Sequence, residues 1–303
     1  MRQRGVQITK WLLRSQDEVL DKFAHLNGAI QTGESNTRCV FVNGHRKDKV
    51  LIIAHADTVW KERPQIGCHP SGVLYSRSSS YGIGADDRAG CAMAWSFRKM
   101  GHSILITSGE ESFGLGANEF IKTHMGVINE HMFAVELDRS GSNDAVFYDC
   151  GSPEFVKYVT DRTELKHTFG SFTDICILCK SICGVNVSVG YDMEHTPQEM
   201  LDMHQWYNIK YRLYSWLSQR QKKFTLDTVA KTNGYTRPPY PNEELYFCSL
   251  CNSFVEQDEF NELMNSCKKC CGILYEEMSK AWCDRKLQHH TRTNTSIMPD
   301  SIK

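Results

Sequence analysis

Val50-Leu51-Ile52-Ile53-Ala54-His55-Ala56-Asp57 passes from an unbroken apolar run straight into a histidine and a carboxylate two residues apart. The pattern recurs. Ile104-Leu105-Ile106-Thr107 precedes Glu110-Glu111, Phe133-Ala134-Val135-Glu136-Leu137 precedes Asp138, and Val185-Asn186-Val187-Ser188-Val189 lies upstream of His195. A fifth polar pair is Asp86-Asp87. Apolar runs of this length, bounded by polar clusters, read as buried strands. In an open α/β sheet, ligands collect beyond the carboxyl ends of such strands, so groups far apart in sequence can meet there.

Helical periods fill the gaps between these runs. Trp11, Leu12, Leu13, Val19, Leu20, Phe23 and Leu26 predict an amphipathic first helix over 9–26, and further helices are expected over 89–100, 116–124 and 153–163. Cys39–Val42 and Val50–Ile53, around Asn43-Gly44, read as a hairpin-like pair. A strand is expected at 145–148. Thr196-Pro197-Gln198-Glu199 combines a capping box with proline at the first helical position, which predicts a long helix starting at Pro197 and puts His195 on the loop before it. Strands separated by helices imply an α/β fold, a three-layer sandwich with a mostly parallel central sheet.

The polar clusters have the composition of a two-metal hydrolytic site. A zinc pair needs histidine nitrogens, carboxylate oxygens, one shared ligand and an open position for water. His55 and Asp138 suit one ion, Glu111 and His195 the other, and Asp86 can bridge them. Three carboxylates then offset three of the four positive charges, and a bound hydroxide completes neutrality. If Glu110 and Glu111 lie on extended backbone they point apart, so Glu111 binds metal while Glu110 faces the water as general base. Asp57, on the same side as His55, is placed to hold the ring nitrogen that faces away from metal.

These motifs resemble the co-catalytic zinc exopeptidase superfamily that includes bacterial leucyl-type aminopeptidases, glutamate carboxypeptidases and aminoacylases. The likeness runs from about residue 49 to 203 and rests on His55-x-Asp57, Gly84-Ala85-Asp86-Asp87-Arg88-Ala89-Gly90, Glu110-Glu111, Asp138 and His195-Thr196-Pro197. The resemblance implies the same ligand assignment and a cis peptide bond after Asp86. Members with a lid domain insert about a hundred residues, the size of a small domain, between the positions matching Asp138 and His195. Residues 139–194 are only fifty-six, so the chain resembles the lidless aminopeptidase branch.

Around Thr232-Asn233-Gly234-Tyr235-Thr236-Arg237-Pro238-Pro239-Tyr240-Pro241 the periodicity stops. The expected organisation is a hydrolase domain over 1–231, a linker over 232–246, a zinc ribbon over 247–283 and a disordered tail over 284–303. The ribbon rests on Cys248-x2-Cys251 and Cys267-x2-Cys270, fifteen residues apart, which predicts one structural zinc ion; Cys271 could replace Cys270, and Cys283 is left over. From Glu243 to Ser279 there are eight acidic residues and two lysines, an unfavourable balance for binding phosphate. The ribbon is therefore expected to dock a protein partner or the substrate, or to act as a structural cap.

Thirty-five Lys and Arg against thirty-six Asp and Glu leave a formal charge of -1, with no overall footprint for nucleic acid or anionic membrane. No secretory apolar core follows Met1-Arg2-Gln3-Arg4 and no stretch approaches a membrane span, so the thirteen cysteines read as reduced thiols and metal ligands of a cytoplasmic protein. Cys176, Cys179 and Cys183 sit among apolar neighbours and read as buried thiols, while Asp174 is open between a helix cap and a site residue. His69, His102, His124, His131 and His204 have no partner at ligand spacing.

The leading functional expectation is a di-zinc aminopeptidase that cleaves peptides with metal-bridged water, Glu110 being the base. Cobalt or manganese would also suit so carboxylate-rich a site. The alternatives are a zinc amidohydrolase or carboxypeptidase acting on N-acyl amino acids, and a zinc-ribbon interaction protein on an inactive peptidase scaffold.

Overall fold

The apolar runs fold as strands because β-branched residues pack well in a sheet that is buried on both faces. The computed structural model describes residues 8–226 and the backbone of 246–248, 253–255, 260–261 and 266–267. In chain order the strands are β1 (Ala29–Thr32), β2 (Cys39–Val42), β3 (Leu51–His55), β4 (Ile66–Cys68), β5 (Val73–Ser76), β6 (Ser103–Thr107), β7 (Ala134–Arg139), β8 (Asp144–Val146), β9 (Lys166–Thr168), β10 (Gly184–Ser188), β11 (Tyr191–Asp192) and β12 (Met200–Asp202). The helices are α1 (Gln16–Ala24), α2 (Ala85–Phe97), α3 (Leu115–Asn129), α4 (Pro153–Thr163), α5 (Ile175–Leu178) and α6 (Met203–Leu217).

Eight strands form one sheet in the order β1-β2-β6-β3-β7-β10-β8-β9, and its centre, β6-β3-β7-β10, is parallel throughout. Alternation along β3 divides the core into two layers. Ile52 and Ala54 join Ile104, Ile106, Val135 and Val187 on the face covered by α1, α2, α4 and α6; Leu51 and Ile53 join Leu105 and Ala134 on the face covered by α3 and α5. The result is the three-layer α/β sandwich expected from the sequence. Phe133 stacks on Trp216 with ring centroids 5.4 Å apart, joining the start of β7 to the end of α6. A second, small sheet, β11-β12-β5-β4, flanks the carboxyl end of β10.

Several local expectations are corrected. β2 and β3 are not a hairpin, because β6 lies between them, antiparallel to β2 and parallel to β3. Gly44 serves close packing instead of a tight turn: a Cβ there would lie 2.5 Å from the His102 carbonyl carbon and 2.6 Å from Ser103 N. The amino-terminal helix is broken: residues 8–12 are helical, then Ser15 starts α1 afresh with a complete capping box to Glu18. No helix begins at Pro197. Thr196 Oγ1 donates to Met193 O, Glu199 turns inward, and the chain forms β12 before Asp202 caps α6 by accepting from His204 N and Gln205 N. α2 is kinked at its start, where Asp86 (ψ 105°) and Asp87 (ψ 43°) are not helical, so its regular part begins close to the expected Ala89, and the helix expected to end at His124 runs to Asn129.

Buried histidines outside the site are satisfied core groups. His102 accepts from Val50 N and donates to Leu217 O; His131 donates to Ile128 O and accepts from Ser103 Oγ. Cys179 and Cys183 are buried, and burial pushes the half-buried Cys176 thiol up to about 12, far from a reactive thiolate. Among the described residues no cysteine forms a disulfide, and no helix is long and apolar enough to cross a membrane.

The chain divides into two units, Met1–Asn233 and Gly234–Lys303. In the second, Tyr246–Cys248 pairs antiparallel with Ser253–Val255, and Phe260–Asn261 with Ser266–Cys267. Cys251, Cys270, Cys271, Cys283 and the expected tail lie outside the described residues.

Candidate active site

The parallel order of β6, β3, β7 and β10 puts the carboxyl ends of four adjacent strands at one edge of the sheet, and every candidate ligand-bearing segment but one leaves from there. His55 closes β3, Asp138 is the next-to-last residue of β7, Glu110 and Glu111 form a 3-10 turn after β6, and His195 follows β11 beyond β10. Asp86 enters from the first turn of α2, where the Asp86–Asp87 peptide bond is cis.

These six residues form one cluster. His55 Nε2 lies 3.0 Å from Asp86 Oδ1 and 3.3 Å from Asp138 Oδ1. His195 Nε2 lies 3.1 Å from the other oxygen of the same carboxylate, Asp86 Oδ2, and 3.0 Å from Glu111 Oε1. Asp86 thus sits between the two imidazoles. Candidate ligand atoms of His55, Asp86 and Glu111, and of His55, Glu110 and Asp138, each fall within 4.8 Å of one another. His195 adopts φ 60°, a left-handed conformation unusual for a non-glycine residue, and remains about half exposed while His55 is buried. The site is therefore open on the His195 side.

Glu110 and Glu111 are not on extended backbone. On a 3-10 turn successive side chains diverge by about 120° rather than 180°, and both carboxylates reach the cluster. Asp57 Oδ1 lies 3.3 Å from His55 Nδ1, and the same carboxylate also accepts from Glu110 N and Glu111 N, each at 3.3 Å. It therefore links the histidine of β3 to the glutamate pair after β6.

A further ring of groups, of which Tyr191, Thr173 and Asn186 belong to no motif in the sequence, fixes these side chains. Tyr191 Oη and Thr173 Oγ1 each donate to the Asp138 carboxylate at 3.1 Å, while Asn186 brackets the Asp138 backbone. Asp87 accepts from His55 N and from Gly90 N. Asp174 is fully buried and accepts from Thr107 Oγ1 at 2.5 Å, so it belongs beneath the site and does not cap α5 with its side chain. Glu199 accepts from the backbone of the Asp86 loop. Its position four residues after His195 could have marked it, had the motif not read equally well as a capping box.

The electrostatics are those of a site with too little positive charge. Desolvation pushes Glu110 up to about 9, reinforced by Asp138, Asp174 and Asp86 against the opposing pull of His55. Burial and the neighbouring Asp86 raise Asp138 to about 6, again against His55. The hydrogen bonds to Asp86 and Glu111 hold the His195 imidazolium up to about 11. Burial opposes charging His55, yet Asp138, Asp57 and Asp86 overcome it and raise its pKa well above the ordinary value. Five carboxylates thus press on two imidazoles. Divalent cations fit this donor set: six side chains offer nitrogen or carboxylate oxygen to shared points, in the mixture hard and borderline metals prefer.

No protein-family model matches the sequence, and no curated protein sequence is detectably similar to it. The fold does have relatives among solved structures. Aminopeptidase PepT from Bacillus cereus superposes with a TM-score of 0.53 at 13% identity, covering 72% of this chain and 98% of that one. A tripeptidase from Staphylococcus aureus gives 0.52 at 13% identity with the same coverage. Aminopeptidase APDkam598 from Desulfurococcus kamchatkensis gives 0.51 at 11% identity, covering 71% of this chain and 94% of that one. The three-layer fold of this chain is the fold of these peptidases.

Proposed function

We propose that the chain is a metal-dependent peptidase, specifically a di-zinc aminopeptidase, with His55 and Asp138 holding one ion, Glu111 and His195 the other, and Asp86 between them. The observation that carries this reading is the Asp86 carboxylate, whose two oxygens face His55 Nε2 and His195 Nε2 separately. The peptidase fold, at whose strand ends these residues converge, adds to it. When bound, two divalent cations would polarise the scissile carbonyl, lower the pKa of a water molecule and draw the raised carboxylates back to their ionised forms.

Glu110 is the group that moves the proton. Its carboxylate lies with His55 and Asp138 at the cluster, yet makes no contact comparable to that of Glu111 with His195. It takes a proton from the attacking water and returns it to the leaving amine. Asp57 orients the His55 ring and holds the backbone of the 110–111 turn, so it sets the angle at which base and ligand meet. The excess of carboxylates attracts the ammonium end of a peptide and repels its carboxylate end, which supports attack at the amino terminus. In the second unit, Cys248, Cys251, Cys267 and Cys270 would hold one structural zinc ion. Two short hairpins carrying Cys248 and Cys267 support this.

The test is mass spectrometry of a defined peptide mixture incubated with zinc- or cobalt-loaded protein beside Glu110→Gln. Stepwise loss of amino-terminal residues is expected, slowed about 10²- to 10⁴-fold in the variant. Carboxyl-terminal trimming would refute the aminopeptidase assignment, and absence of cleavage with both metals bound would refute the peptidase reading.

A further inference from the structure

Glu199 is fully buried beside the site, four residues after His195. Its Oε2 accepts from Ile83 N and Gly84 N at 2.8 Å and from Trp60 Nε1 at 3.0 Å, while Oε1 accepts from Asp86 N at 3.0 Å. Four donors on one buried carboxylate is near its full capacity. Three of them are the backbone amides of the loop that delivers Asp86, and the fourth comes from the segment after Asp57. The packing around it is equally close: a Cβ at Gly82 would overlap Glu199 Oε2 and lie 2.9 Å from Glu199 Cβ.

We infer that Glu199 is a positioning residue for the bridging carboxylate: it ties the loop carrying His195 to the loop carrying Asp86, and so fixes the separation of the two halves of the metal site. The inference rests on the two-metal reading above. Its physical basis is covalent economy, since His195 and Glu199 share one short segment and cannot move independently. His195 Nε2 meets one oxygen of Asp86 while Glu199 holds the amide of that same residue. Glutamine is isosteric with glutamate but replaces one acceptor oxygen with an NH2 group, which would face N–H donors that glutamate accepts.

The test uses the full-length chain with Co2+ as probe, in wild type, Glu199→Gln and Glu199→Asp. Metal affinity is read by competition with a chelator, the cobalt absorption spectrum reports ligand geometry, and circular dichroism of the metal-free proteins reports folding. Glu199→Gln is expected to weaken binding of cobalt about 10- to 100-fold, the range typical of groups that orient metal ligands, and to shift the visible bands. Glu199→Asp, which keeps the charge but is one methylene short, should fall between wild type and glutamine. Unchanged affinity and an unchanged spectrum in a folded variant would overturn the inference, because a merely structural role lowers thermal stability without altering the cobalt bands. Wild type that binds no cobalt would instead refute the two-metal reading itself, so the two failures are distinguishable.

Discussion

Adding a single methyl group at Gly90 should unseat the helix that carries the Asp86-Asp87 pair. Gly90 lies in α2 against Leu137 of β7. A Cβ there would overlap Leu137 O and Asp87 Oδ1 and lie 2.5 Å from Asp87 Oδ2. None of these is the far end of a flexible chain: one is backbone of a central strand, and the others belong to a buried carboxylate that accepts from His55 N and Gly90 N. To restore ordinary contact the helix must retreat by about 1 Å or more in a core packed to crystal-like density. Alanine gains about 1 kcal/mol of helix propensity over glycine. Overpacking costs about 1–3 kcal/mol and more where backbone must shift. With both obstacles rigid the upper end applies, leaving Gly90→Ala about 2 kcal/mol less stable. For a unit of this size that lowers the melting temperature by about 4–8 °C. Thermal unfolding followed by circular dichroism on the metal-free protein measures it. A melting temperature equal to or above wild type would refute the close-approach argument, since only the propensity gain would then remain.

Other consequences are equally measurable. His131 is fully buried and desolvation holds it at about 4, below its ordinary 6.5. A lowered value means its contribution is complete above pH 6.5 and is lost as pH falls through about 4, a difference of about 3 kcal/mol. His131→Gln should flatten this acid limb in urea titrations at pH 7 and 4.5, and an unchanged limb would show that other groups control it. Arg46 chelates Asp48 through Nε and Nη2, and its Nη1 and Nη2 donate to Leu217 O and Gln219 O at the end of α6. Lysine keeps the charge but cannot make this fork, so Arg46→Lys should cost about 1–3 kcal/mol, read as a lower urea midpoint; no change would mean that the fork is dispensable.

The sequence by itself was enough to indicate the layers and the meeting point. Val50–Ala54 and Ile104–Ile106 are apolar on both faces, which only a sheet covered on both sides can bury, and the polar residues closing such strands must then lie at one edge. His55, Asp57, Glu110, Glu111, Asp138 and His195 were legible this way, because each follows or lies downstream of such a run, whereas Asp86 was legible only as a polar pair within its own motif. Strand order was not. Inserting β6 between β2 and β3 depends on non-local pairing, whereas the Asn43-Gly44 signal is local and equally compatible with a hairpin. Tertiary structure also decided what Thr196-Pro197-Gln198-Glu199 does: as a capping box Glu199 would satisfy one amide, but turned inward it satisfies four donors around Asp86, and the helix waits for Asp202. The same competition settled the glutamate pair, whose 3-10 turn after β6 lets both side chains reach one cluster. Local patterns state what a segment can do alone; the choice among those options belongs to whichever partners the rest of the chain brings within hydrogen-bonding distance.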